Sequence, residues 1–213
     1  MLQNRLLRRS RFQTLTLSQT AVVCVKLEPG EAGSGFKFVN AVKGGAVPAE
    51  FVPSVERGLA TALQSGPLGG YPVQDVVATL HDGVAHSVDS SPLAFELAAV
   101  GACREGMRQA GMRLLEPVMD VEVTSPEQFV GSVMGSLSSR RGVLQSSTRD
   151  DGAALTLRAA VPLAEMSSYI SVLRSSTQGR ASFSMRFARY DFVPLNVQEA
   201  VTGQRAARAA GAV

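Results

Sequence analysis

From Thr20 to Leu27 the chain runs apolar and β-branched, TAVVCVKL, and stops at Pro29-Gly30. Such a run predicts a strand, and Phe36 to Val42 predicts a second after a Gly/Ser loop. Pro48 then opens AEFVPSVERGLATALQSG, where Phe51, Val55, Leu59, Ala62 and Leu63 recur at spacings of three and four. That period sets them on one face of a helix closed by Gly66-Pro67, with Pro53 in its first turns, where a missing N–H costs little. Val73 to Leu80 predicts another strand and Asp82-Gly83 a turn. After VAHSVDSS a helix starts firmly, with Ser91 as cap and Pro92 at the first helical position. Leu93, Leu97, Val100 and Met107 predict its apolar face, to about Gly111.

Glu116-Pro117 reads as a domain boundary. Beyond it Val118 to Thr124 alternates as a strand, and Ser125-Pro126-Glu127-Gln128 supplies a cap, a proline and a glutamine in helix-opening order. The helix runs to about Arg140, and extended chain resumes at Gly142. Asp150-Asp151-Gly152 predicts a hairpin turn, with Leu155, Leu157, Ala159 and Val161 alternating on the returning strand. Pro162 to Ser175 reads as a helix with Met166, Ile170 and Leu173 on one face. Phe183, Met185 and Phe187 alternate in a last strand. The order βαββαβ predicts a ferredoxin-like sheet with two helices on one side. Residues past Gln198 read as a ragged Ala/Arg tail.

Composition narrows the picture. A chain of 213 residues, 45% apolar and 18% charged, holds two domains of roughly 100 residues each. Its uncharged stretches are broken before the ~20 apolar residues that a membrane helix needs, so no membrane partner is expected. The formal charge of +3 is concentrated at the start: the first twenty residues carry Arg5, Arg8, Arg9 and Arg11 and no acid. Residues 21–213 then hold 17 basic against 18 acidic side chains, so contacts of the body with nucleic acid depend on local arginine and lysine groups. The opening MLQNRLLRRSRFQTLTLSQT sets Leu2, Leu6 and Leu7 against Arg5, Arg8 and Arg9 at helical spacing. It reads as a basic leader over residues 1–19 of the kind that targets the mitochondrial matrix. Cys24 and Cys103 are the only thiols. They predict two buried free cysteines, with no disulfide partner and no zinc quartet.

The chain offers little chemistry. Neither G-x-x-x-x-G-K-[ST] nor G-x-G-x-x-G between strand and helix occurs, and G-x-S-x-G is absent. No catalytic residue, cofactor or metal is therefore expected. His81 and His86, with Asp82 and Asp89, form the one polar constellation, HDGVAHSVDSS. An imidazole at an exposed loop stacks on a base or donates to phosphate. Arg140-Arg141 follows one predicted helix, and Arg174 and Arg180 bracket SSTQG. Cations in last helical turns offset the helix dipole, and clustering at loops near one end of the second domain suggests phosphate contacts.

Four runs carry a resemblance to a known family. They are GGAVPAEFVPSVERGLATALQSGPLGGYPV, DGVAHSVDSSPLAFELAAVGACREGM, LLEPVMDVEVTSPEQFVGSVMGSLSSRRG and VPLAEMSSYISVLRSSTQGRASFSMRFARYDFVP. Together they resemble the C-terminal part of translation elongation factor G. The resemblance implies an α+β chain: a ribosomal-protein-type βαβ domain over residues 20–116, then a ferredoxin-like βαββαβ domain over residues 117–200; the Ala/Arg composition of 201–213 adds the expectation of a disordered tail. The resemblance also implies the ribosome as partner, through ribosomal RNA and proteins, with tRNA–mRNA at the tip of the first domain. The loop histidine at that tip matches His86, within Gly83, Ser87 and Asp89; Arg140, Arg141, Arg174 and Arg180 are the RNA candidates of the second domain. The residues before Ala21, FQTLTLSQT, depart from the family's glycine-rich tip loop. Its GTPase domain has no counterpart in these residues, so no GTP hydrolysis is expected. The reading that follows is a ribosome-associated or ribosome-assembly protein of mitochondria. The alternative is a fragment of a GTP-dependent factor that moves tRNA and mRNA.

Overall fold

The computed structural model describes residues 2–7, 10–15, 21–86, 90–149 and 154–210, with the backbone alone for 10–15 and 205–210. The chain divides into two compact units, Leu2–Leu115 together with Val193–Val213, and Glu116–Phe192.

The first unit opens with β1 (Gln3–Leu6) and β2 (Ser10–Leu15), followed by β3 (Ala21–Pro29) and β4 (Phe36–Asn40). Helix α1 (Val52–Leu63), β5 (Val76–Ala85) and α2 (Pro92–Ala110) complete its main body. The sheet order is β2-β3-β5-β4. β3 is antiparallel to both β2 and β5, while β4 and β5 are parallel and joined through α1. Ser91 caps α2 by accepting from the Ala94 N–H at 3.1 Å, and Pro92 stands at its first position, as the sequence predicts.

Four expectations are corrected here. Residues 3–6 and 10–15 are strands and not a helical leader: Asn4 pairs with Leu114 and Phe12 with Val25. Leu6 is buried and Asn4 fully so, which makes β1 part of the core. Asp82-Gly83 is no turn. β5 runs through it, with His81 as the extra residue of a β-bulge, since Val25 faces Leu80 and Cys24 faces Asp82. The buried face of α2 is Ala94, Phe95, Ala98, Ala99, Ala102, Cys103 and Met107, while Leu93 and Leu97 are 62% and 51% exposed. Small residues win this face because α1 crosses closely: a side chain on Gly58 would collide with the Glu96 carbonyl and stand 3.0 Å from the Ala99 Cβ. Finally, the tail forms α5 (Leu195–Ala210), and its Gln198 side chain accepts from the Leu114 N–H at 2.9 Å.

The second unit takes up β6 (Met112–Pro126) from Glu116 onward, then α3 (Val130–Ser139), β7 (Val143–Arg149), β8 (Ala154–Pro162), α4 (Tyr169–Ser176) and β9 (Ser182–Phe192). β9 pairs with β6, and the order continues β6-β8-β7. This is the predicted ferredoxin-like plan. Its core gathers Val121, Val123, Val133, Leu137, Leu157, Ala159, Val161, Tyr169 and Leu173. Two details differ from the pattern. α4 starts only at Tyr169, after the left-handed Ser168, so Ile170 lies outside the core. On β9 Phe183 meets Tyr169 edge-on at 5.1 Å, but Met185 and Phe187 are exposed. The predicted turn Asp150-Asp151-Gly152 lies outside the described residues.

Candidate nucleic-acid interface

One end of the first unit collects the polar groups singled out from the sequence. There β5 ends, α2 begins, and the parallel pairing with β4 brings in the loop after Asn40. His86 follows directly on β5. Its backbone N–H donates to Ser90 Oγ at 2.8 Å, and the Ser90 N–H donates back to the His86 carbonyl at 3.2 Å. The pair closes a loop whose middle, including Ser87 and Asp89, lies outside the described residues. His86 is exposed, and the capped 19-residue helix α2 begins at Pro92, where its positive dipole end favours an anion even though Pro92 has no N–H and the Ala94 N–H is taken by Ser91 Oγ. His81 and Asp82 are exposed on the same strand.

Gly83 has a different part. It is buried, and a Cβ there would collide with Val47 and approach the Val22 carbonyl oxygen to 2.6 Å. Its lack of a side chain seats Val47, so Gly83 positions the backbone and presents no contacting group. Cys24 lies across from Asp82, and its thiol pKa is raised first by burial and then by that carboxylate.

In the second unit the four arginines divide into two pairs, not one cluster. α3 and α4 run in opposite senses, so the end of each helix meets the start of the other. Arg140 donates to the carbonyls of Glu165 and Ser167, just ahead of α4, and lies 5.3 Å over the Tyr169 ring. Arg180, beyond the end of α4, lies 4.8 Å over the Phe129 ring ahead of α3.

Arg141 is committed to the fold. Its Nη1 and Nη2 donate to the two carboxylate oxygens of buried Glu116 at 2.7 and 2.9 Å, and its Nε to Glu165 at 2.9 Å. These bonds, Glu116 first, raise its pKa and hold it at a φ of 59°, a backbone state that costs a non-glycine residue roughly 1–2 kcal/mol. Arg174 and Arg180 are exposed. Arg174 has no side-chain partner among the described residues. Also among the described residues, no group of three His, Cys, Asp or Glu side chains is placed to hold a metal, and no helix is long and apolar enough to cross a membrane.

Residues 11–111 match elongation factor G, domain IV, and residues 113–201 match the elongation factor G C-terminus. The chain carries the fourth and the C-terminal domains of elongation factor G. A crystal structure of a protein from Thermus thermophilus superposes with a TM-score of 0.80 at 31% identity, over 96% of this chain. This chain spans 31% of the length of that one. The domain IV match begins at Arg11, within β2, and so includes residues that composition alone had assigned to a leader. It also takes in the loop after Asn40, whose Gly44 to Pro48 open the first of the family-like runs but whose Lys43 the sequence reading passed over. Its available signal was a lysine followed by two glycines between a strand and a helix.

Proposed function

We propose that the chain is a ribosome-binding module. Its domain IV unit presents the His86 end to RNA near the decoding site of the small subunit, and its ferredoxin-like unit meets ribosomal RNA and proteins. The observation that carries this reading is the His86 loop: an exposed histidine whose backbone is held by reciprocal bonds with Ser90, just ahead of the N-terminus of α2. Such an arrangement suits stacking on a base and donation to a phosphate. Arg174 and Arg180 are the contacts we assign to the second unit, and Arg140 and Arg141 serve its fold.

In this reading these residues dock and do no bond-breaking chemistry. A ribosome-associated or assembly role is favoured over translocation by the stretch Thr16-Leu17-Ser18-Gln19-Thr20, which has no glycine where the resemblance calls for a glycine-rich tip. The basic composition of residues 1–20 is what supports a mitochondrial setting, although part of that segment folds as strands.

Sedimentation of the full chain with separated ribosomal subunits, at low and raised salt and without nucleotide, tests the proposal. Comigration that weakens steeply with salt supports RNA docking. Binding that occurs only when a separate GTPase-bearing chain is supplied supports the translocation-factor alternative, and absence of binding under both conditions refutes the docking reading.

A further inference from the structure

The loop between β4 and α1 lies at the same end of the unit as His86, and the structure shows what holds it there. β4 ends at Asn40, level with Leu80 on β5, and the Ala41 N–H donates to the Leu80 carbonyl at 2.8 Å. The Val42 N–H donates to Asn40 Oδ1 at 3.1 Å, which fixes the root of the loop. At the far side Val47 is 4% exposed, set in the space that Gly83 leaves by lacking a Cβ. The loop is thus fastened at both sides to the strand that leads into His86.

Between those fastenings Lys43, Gly44 and Gly45 are exposed. Gly44 and Gly45 have φ of 66° and 71°, and a Cβ on either would meet nothing within 4 Å. The glycines are therefore explained by their left-handed backbone and not by packing within the chain. They leave an open stretch of main chain next to a cation. Lys43 has no ion-pair partner among the described residues, and the carboxylate of Asp82 already accepts from the Gly83 N–H at 2.8 Å.

We propose that Lys43 is a phosphate-contacting residue, that Val47 in its Gly83 seat positions it, and that its partner is the backbone of an RNA strand held by the same end of the unit as His86. This rests on the docking reading above. A lysine is a compact point charge that suits phosphate without selecting a base. Together with the exposed His86 and the positive dipole end of α2, it sets one cation and polar groups at an end where the exposed carboxylate of Asp82 is turned to the Gly83 N–H. That pattern fits a polyanion better than an apolar protein surface.

The test measures binding of the full chain to purified small ribosomal subunits across a salt series, for wild type, Lys43→Ala, Lys43→Arg and His86→Ala. The expected result is that Lys43→Ala weakens binding several-fold at low salt and reduces the slope of log affinity against log salt by about 1. Lys43→Arg should restore both. If Lys43→Ala binds with wild-type affinity and slope while His86→Ala is weakened, the Lys43 assignment is overturned and the docking reading stands. A Lys43→Ala loss with an unchanged slope overturns the RNA partner in favour of a protein contact. Failure of the wild type to bind at any salt overturns the docking reading itself.

Discussion

Arg141 grips Glu116 through both terminal nitrogens, at 2.7 and 2.9 Å, and the carboxylate so held is 5% exposed. Removing one partner of a buried ion pair leaves a charge with neither water nor counterion. Glu165 remains nearby but is itself anionic, so it does not compensate. Arg141→Ala is expected to destabilise the second unit by about 2–4 kcal/mol, discounted for the partial exposure of the guanidinium. Arg141→Lys should recover only part of this, because an ammonium does not match the two-oxygen geometry. Urea unfolding of the three proteins measures it. Ribosome binding per folded molecule should not change, which separates this residue from Arg174.

Among the described residues Tyr169 is the largest fully buried side chain, and its hydroxyl has no hydrogen-bond partner there. An unpaired buried hydroxyl costs about 1–3 kcal/mol. Tyr169→Phe keeps the ring under Arg140 and against Phe183, so it should raise stability by about 1 kcal/mol. Burial also lifts the phenol from its ordinary 10 to about 12. Between those values the unfolded chain has lost the proton while the folded chain keeps it, so stability falls as pH rises through that window. Denaturant midpoints measured from pH 9 to 12 should show the fall in wild type. Tyr169→Phe should lack its share of that fall, leaving the part due to Cys103, whose thiol burial also lifts to about 12.

The closeness of α1 to α2 at Gly58 leads to a sharper test. A methyl there must push against the Glu96 carbonyl, which is helix backbone and cannot rotate away. Gly58→Ala is expected to destabilise the first unit by about 2 kcal/mol, although alanine is the better helix former. If thermal unfolding shows Gly58→Ala equal to or above wild type, the helices are farther apart than described.

These residues also show how far the sequence could be read. The βαββαβ order was legible because each element carries its own period, its caps and its turn residues. Domain IV's α2 was found with the correct start, yet its face was misjudged. Leu93 and Leu97 satisfy a helical period, but the position of Gly58 on another helix decides which stripe is buried, and no local pattern reports that. The expected clustering of the arginines at one end failed for a related reason. Arg140 and Arg180 both sit near helix ends, and only the opposite senses of α3 and α4 reveal that these are different ends of the unit. The place of His86 in an exposed loop was legible because polar residues stand directly before a well-marked cap. That the loop holding Lys43 lies at the same end of the unit as His86 was not legible, since it depends on the parallel pairing of β4 with β5.

The N-terminal residues give the prediction on which sequence and structure most directly disagree. Arginine content and leucine spacing point to a leader that is dispensable to the fold. In the structure Leu6 is 2% exposed in the main core, and the fully buried Asn4 donates from Nδ2 to the carbonyls of Leu68 and Tyr71 at 3.2 and 2.6 Å. Asn4 also exchanges backbone bonds with Pro72 and Gln74, so β1 fastens the loop between α1 and β5. A dispensable leader makes no such contacts. Leu6→Ala is expected to cost about 2–5 kcal/mol, as a leucine deletion in a packed core does. Asn4→Ala should free the loop at residues 66–73 to exchange amide protons faster. Deleting residues 1–7 should lower the thermal midpoint at least as much as Leu6→Ala does. A truncated chain that melts with the full one would mean that β1 adds nothing to the fold, and the leader reading would regain its ground.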